Sequence, residues 1–68
     1  MEKFPKLRAK IVERGITQGQ LAKAIGIEKS TLSAKMNGKT EFKLAEMTLI
    51  RMYLDLTPDE FYAVFFAD

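Results

Sequence analysis

The polar side chains best suited to chemistry lie in one short stretch, Lys29 to Ser33, where an ammonium group is followed by three hydroxyls. A hydroxyl becomes a nucleophile only beside a base, and the sequence contains neither histidine nor cysteine. No nucleophile–base pair can be assembled from the remaining residue types. The same groups can donate and accept hydrogen bonds, so we expect a protein that recognises a partner and is not an enzyme.

The composition predicts one small globular domain over residues 1–68. The chain is 47% hydrophobic and 29% charged, too apolar for a disordered tail. With no cysteine and no histidine we expect no disulfide, no metal site and no cofactor, and no small-molecule ligand is evident. No apolar run approaches the roughly 20 residues of a membrane span, and no signal peptide is visible. We therefore expect a cytoplasmic protein that does not enter a membrane.

The charges are distributed unevenly along the chain. Residues 1–43 hold ten basic and four acidic residues, a net charge of +6, whereas residues 44–68 hold one and five, a net charge of −4. Such polarity within one domain is compatible with one end that faces a polyanion, although charge alone favours ordinary solvated helix faces. We interpret the lysines and arginine near the amino terminus as such a face: Lys3, Lys6, Arg8 and Lys10.

Helical spacing between Gly, Pro and capping residues predicts five helices and no strand. The first begins at Pro5 and ends at Gly15, the second follows a Thr17–Gln20 capping box and ends at Gly26, and the third spans Lys29–Met36. The fourth covers about Leu44–Leu54, and the fifth covers about Pro58–Val64 after a Thr57 cap. The inward stripes are predicted to be Leu7, Ile11, Val12 and Arg14 in the first helix, Leu32 and Met36 in the third, and Leu44, Met47, Ile50 and Leu54 in the fourth.

The second and third helices are joined by only Gly26, Ile27 and Glu28, which is the spacing of a helix-turn-helix over about residues 17–37. The run TQGQLAKAIGIEKSTLS from Thr17 to Ser33, closed by NGK at residues 37–39, resembles the Cro/cI-type (XRE-like) helix-turn-helix family of phage and bacterial regulators. The likeness covers about residues 7–61. It implies an all-α, five-helix, lambda-repressor-like DNA-binding domain and a small phage-like regulator.

Two positions depart from the family pattern. Glu28 stands where the family usually has a small cap such as Ser, and is a poorer cap. Lys35 stands where a branched apolar residue is usual, and the next residue, Met36, takes the apolar role.

The resemblance implies that the third helix enters the major groove of double-stranded DNA. Base contacts are then expected from Lys29, Ser30, Ser33 and Ala34. Phosphate contacts are expected from the start of the second helix, from the third helix and from the basic segment after it: Gln18, Thr31, Asn37, Lys39, Thr40 and Lys43. Glu28 either accepts from a cytosine amine or points into solvent.

Aromatic residues are concentrated in the carboxyl-terminal segment, residues 58–68. A large exposed apolar patch usually marks an interface, so we consider a homodimer as well as the simpler reading in which Phe61 and Phe65 complete the core. The residues predicted for a dimer interface are Leu49, Met52, Tyr53, Phe65 and Phe66.

The sequence predicts a sequence-specific DNA-binding transcriptional regulator that occupies a palindromic operator as a homodimer. Repression by blocking polymerase is what the resemblance implies. The alternative is a protein-interaction module on the same fold, antirepressor-like or antitoxin-like, that acts through the aromatic carboxyl end. Such a module would have no need of the basic residues around Lys29, Lys39 and Lys43.

Overall fold

Five helices follow one another along the chain, as the sequence predicts. A computed structural model describes residues 3–67, and in this range there is no strand. The helices are α1 (Pro5–Glu13), α2 (Gln18–Ile25), α3 (Lys29–Met36), α4 (Leu44–Leu54) and α5 (Pro58–Phe65). The boundaries of α3 and α4 are as predicted, and α5 ends one residue later than expected.

Two of the helices begin at capping boxes; the sequence predicts the Thr17–Gln20 box and, at the other helix, the Thr57 cap. The Thr17 hydroxyl accepts from the Gln20 N–H at 3.1 Å, and the Gln20 side chain accepts from the Thr17 N–H at 2.8 Å. Thr57 and Glu60 repeat this reciprocal pair at α5, with distances of 3.1 and 2.9 Å. Each box satisfies backbone donors that a helix start otherwise leaves without a partner.

Helices α2 and α3 end in the same hydrogen-bonded motif, which requires a left-handed residue. Gly26 has φ +79° and Gly38 has φ +78°, and in each case the next N–H donates to the carbonyl five residues earlier. These are Schellman motifs, and they turn the chain sharply because glycine adopts positive φ without a Cβ clash. The link 26–28 can therefore be short enough to join α2 directly to α3.

The core lies between all five helices. Helix α2 packs against both α3 and α4, while α1 packs against α5. The molecule measures 27 × 22 × 21 Å along its principal axes. The buried hydrophobic residues are Leu7, Ile11, Leu21, Ala22, Ile25, Leu32, Met36, Ile50, Leu54, Leu56, Val64 and Phe65.

Three predicted inward residues are exposed, and a fourth, Met47, is half-buried against the core. Val12 is 71% exposed because it lies about 140° around α1 from Leu7, on the far side of the Leu7–Ile11 stripe. Leu44 is also 71% exposed, since it is the first residue of α4 and lies beyond the edge of the core. Arg14 follows α1 and is exposed, and its Nε donates to the Leu54 carbonyl at 2.8 Å.

No helix formed by residues 3–67 combines the length and the apolar character that crossing a membrane requires.

Candidate nucleic-acid interface

The outward face of α3 carries the four residues predicted to contact bases. Lys29 and Ser30 are exposed, while Ser33 and Ala34 are half-buried. On the opposite face Leu32 and Met36 are at most 1% exposed and hold the helix against the core. The side chains of the outward face are small apart from Lys29, so α3 presents a shallow surface that another molecule can approach closely.

The start of α2 lies beside the start of α3. A Cβ built on Gly19 would be 3.8 Å from Cδ of Lys29, so the aliphatic part of Lys29 passes over the first turn of α2. Gln18 is half-buried in this same turn. The Lys29 side chain and the first N–H groups of α2 thus lie in one region, which suits an anion. The 3.8 Å contact is ordinary packing, so Gly19 is not required there for space.

The segment 37–43 continues this surface beyond the carboxyl end of α3. The Asn37, Gly38 and Lys39 N–H groups donate to the carbonyls of Ser33, Lys35 and Ala34 at 3.0, 3.1 and 2.9 Å, which folds the segment back onto the helix. Exposed polar and basic side chains project from the segment and from its end at α4: Asn37, Lys39, Thr40 and Lys43. Thr31, the remaining predicted phosphate contact, is exposed on α3 itself.

An aromatic cluster anchors the segment 37–43 to the rest of the molecule. The ring of Phe42 lies edge-on to Phe4 and Phe65, with ring centroids 5.2 and 5.4 Å away. Phe4 and Phe65 contact each other at 6.0 Å, so the three rings form a closed set of edge-to-face pairs. Phe42 was not predicted to have a role, although a single phenylalanine within a polar segment was a signal that it is buried.

A buried ion pair holds the segment from its other side. Lys35 is 6% exposed, and its Nζ donates to the Glu41 carbonyl at 3.0 Å and lies 3.1 Å from Oε1 of Glu46. The same Glu46 oxygen accepts from the Lys43 N–H at 2.9 Å. Burial raises the pKa of Glu46, but the hydrogen bonds from Lys43 and Lys35 outweigh it, and this pKa lies below its usual range. The carboxylate is therefore charged at neutral pH and joins α3, the segment and α4.

The amino-terminal basic residues are not all a solvated face, which corrects that prediction. The Lys3 N–H donates to the Met36 carbonyl at 3.0 Å, and the Lys3 stem packs where a Cβ on Gly38 would be 2.9 Å away. Lys10 pairs with Glu60 of α5 and with Glu13. Lys3 is thus placed beside the segment 37–43, whereas Lys10 ties α1 to α5.

Glu28 precedes α3 without capping it. The Glu28 carboxylate accepts no hydrogen bond from the N–H groups at the start of α3, and the residue is exposed. The prediction that Glu28 is a poor cap is confirmed. A carboxylate consequently stands next to Lys29, at the point where the surface is otherwise basic.

The predicted dimer interface divides into exposed and buried residues. Leu49, Met52 and Tyr53 are 42%, 67% and 47% exposed on one face of α4, and Phe66 is 57% exposed after α5. Phe65 is only 8% exposed because it faces Phe4 and Phe42, so its assignment to an interface is wrong and the core reading is correct for it. The last residue of the predicted segment 58–68, Asp68, lies outside the described residues.

Among residues 3–67 no three Cys, His, Asp or Glu side chains come together in a group that could hold a metal ion. The chemistry that the described surface offers is hydrogen bonding by hydroxyl and amide groups and attraction of anions by lysines.

Comparison with known families gives one match over nearly the whole chain. A family model described as "Protein of unknown function (DUF739)" matches residues 2–68, and the chain belongs to this family. No curated protein matches the sequence.

Proposed function

We propose that this DUF739 protein binds double-stranded DNA in a sequence-specific manner and regulates transcription by occupying an operator. The observation that carries the proposal is the exposed face of α3, Lys29 to Ala34, set between the start of α2 and the basic segment 37–43. A helix with small polar side chains fits a major groove about 12 Å wide, and flanking cations and helix N–H groups suit the phosphates on either side.

The roles divide by position. Lys29 donates to guanine, the hydroxyls of Ser30 and Ser33 donate to or accept from base edges, and Ala34 contacts a thymine methyl group. Phosphate contacts come from Gln18, Thr31 and the segment's side chains, Asn37, Lys39, Thr40 and Lys43. Because three of the four base-reading side chains are small, part of the sequence preference comes from DNA shape and deformability.

The protein acts as a homodimer through α4. Leu49 and Met52 lie three residues apart on one helix face and Tyr53 adjoins them, so together they form an apolar strip open to solvent. A strip of this kind on both copies is self-complementary about a two-fold axis. A symmetric dimer would read a palindromic operator, and the cytoplasm is the compartment in which it would act.

A second candidate function rests on two aromatic rings that remain exposed outside the core. Tyr62 and Phe66 are 61% and 57% exposed, and their centroids are 6.0 Å apart. An antirepressor-like or antitoxin-like module would use this pair to bind another protein and would not need DNA.

Titration of the whole chain against labelled duplex DNA at several salt concentrations tests the two candidates. DNA binding through lysines predicts a log–log salt dependence with a slope of about −0.9 for each phosphate neutralised. Absence of any duplex binding at 50 mM salt would contradict DNA binding and leave the protein-interaction module.

A further inference from the structure

We propose that Lys35 is a positioning residue for DNA binding, which touches no DNA and acts by holding the segment 37–43 in place. The inference rests on the proposed function, because the segment carries four of its six phosphate-contacting residues. It extends that function to a buried residue on the core side of α3.

Lys35 buries a charge where an apolar side chain would suffice. The Lys35 side chain is 7% exposed and that of Glu46 is 14% exposed. Placing a buried ion pair costs desolvation free energy, and replacing such a pair by apolar groups is often neutral or stabilising. Met36 and Leu32 already fill the core beneath α3. Fold stability alone therefore gives little reason for a lysine here.

The Lys35 ammonium contacts both the segment 37–43 and α4. Lys35 Nζ reaches across the segment to the Glu41 carbonyl, six residues further along, and to Glu46 in the first turn of α4. Glu46 in turn accepts from the Lys43 N–H. An aliphatic residue at position 35 could bond neither the Glu41 carbonyl nor Glu46. The lysine thus bonds the middle of the segment directly and orients Glu46, which bonds the end of the segment, while Phe42 packs the segment against the aromatic cluster.

The contacts of Lys35 preorganise the phosphate-contacting groups of the segment. A binding surface that is already ordered loses less conformational freedom when its ligand arrives. With Lys35 in place, Lys39, Thr40 and Lys43 start from one fixed backbone arrangement. Without it, the segment must lose its conformational freedom at each binding event, and the affinity falls for every DNA sequence alike.

The test compares Lys35→Met with Arg51→Met in the full chain. Methionine fills a volume similar to the stem of lysine and cannot donate to Glu41. Arg51→Met removes the same charge about 12 Å along α4 from Lys43, outside the proposed contacts. Two readouts are taken: ¹⁵N order parameters of residues 39–43 in the free protein, and duplex affinity at several salt concentrations.

For Lys35→Met we expect order parameters of residues 39–43 to fall from about 0.85 towards 0.6. Duplex affinity should fall about tenfold on all sequences with the salt slope unchanged, because no phosphate contact is lost, while Arg51→Met changes neither readout. Lys35→Arg, which keeps the charge and donors, should recover part of the affinity. Thermal unfolding of each variant shows that it is folded at the temperature of measurement.

Unchanged order parameters in Lys35→Met would overturn the inference whatever the affinity. A mobile segment with unchanged duplex affinity would overturn it too, and would leave the proposed function standing. A wild-type chain that binds no duplex would instead remove the proposed function, and the inference would fall with it. The duplex affinity of the wild type distinguishes this last failure from the other two.

Discussion

At the scale of single residues, the proposed function assigns base contacts and phosphate contacts to different side chains. Lys29 stands at the start of the outward face of α3, whereas Lys39 stands on the segment that leaves it. Both are exposed lysines, so only their positions distinguish them. Two substitutions that remove the same charge are therefore expected to have different effects on DNA binding.

Lys39→Ala should weaken binding to all duplexes by a similar factor and lower the salt slope by about one, because one phosphate contact is lost. Lys29→Ala should change which sequences are preferred, because a guanine contact is worth about 1–3 kcal/mol of discrimination. Affinities for a panel of duplexes at two salt concentrations measure both effects. Equal losses on every sequence from both variants would contradict the assignment of roles.

A second prediction at this scale concerns pH. The hydrogen bond from Lys10, together with that from the Thr57 N–H, lowers the pKa of Glu60 to about 2 from its usual 4.5. The pairing also raises the pKa of Lys10 above 10.5, chiefly through the hydrogen bond to Glu60. A carboxyl whose pKa is lowered by folding stabilises the protein fully above its unfolded value. That stabilisation should be lost as the pH falls from about 4.5 to 2, and the contribution of Lys10 should be lost as the pH rises above 10.5.

Glu60→Gln keeps an oxygen for the Thr57 N–H and removes the charge. Its free energy of unfolding should lie below that of the wild type at pH 7, and the difference should shrink as the pH falls through 4.5 to 2. Urea unfolding at a series of pH values measures this. Asp59→Asn, which removes a charge from the same helical turn, serves as the control. If the difference in free energy of unfolding between Glu60→Gln and the wild type stayed constant with pH, the ion pair would contribute nothing to stability.

At the scale of helices, local signals were sufficient where the cause is local. The capping boxes at Thr17 and Thr57 and the glycines after α2 and α3 predicted those boundaries because each forms its hydrogen bonds within a few residues. The end of α4 has no such signal. There Asp55 takes the left-handed conformation at φ 52°. Aspartate tolerates this conformation, but an aspartate in the sequence does not by itself predict that a helix ends there.

Helix α3 offers the clearest prediction at this scale, since its start lacks a side-chain cap. Glu28→Ser should supply a hydroxyl to the helix N–H groups and raise the free energy of unfolding by about 1 kcal/mol. It should also tighten duplex binding on all sequences if the carboxylate lies beside phosphates. Glu28→Ala is the matched control, because it removes the charge without adding a cap. A Ser variant no more stable than the Ala variant would contradict the role given to the cap.

At the scale of the whole molecule, the sequence was least informative where residues distant in the chain meet. Phe4, Phe42 and Phe65 form one aromatic cluster from three separate parts of the chain, and no spacing rule relates them. For the same reason Phe65 was assigned to an interface although it belongs to the core. Lys35 was recognised as a departure from the family pattern, but its partners Glu41 and Glu46 become visible only in the fold.

The association state is the prediction that belongs to this scale. Sedimentation equilibrium at micromolar protein should give twice the chain mass of 7.7 kDa. Met52→Glu should reduce the mass to that of one chain, because it places charges opposite one another across the apolar strip of α4. Val12→Glu, at an equally exposed apolar position on α1, should leave the dimer intact. A monomeric mass for the wild type would exclude the dimer in free solution.

The central claim is that the chain reads DNA sequence, and selection from a pool of random duplexes at physiological salt tests it most directly. The pool is sequenced after several rounds, with the Lys29→Ala variant selected in parallel. We predict enrichment of a two-fold symmetric site whose half-site centres lie about 10–10.5 base pairs apart, and a changed preference for the variant. A wild-type pool that remains random, with only weak, salt-sensitive retention, would contradict the claim.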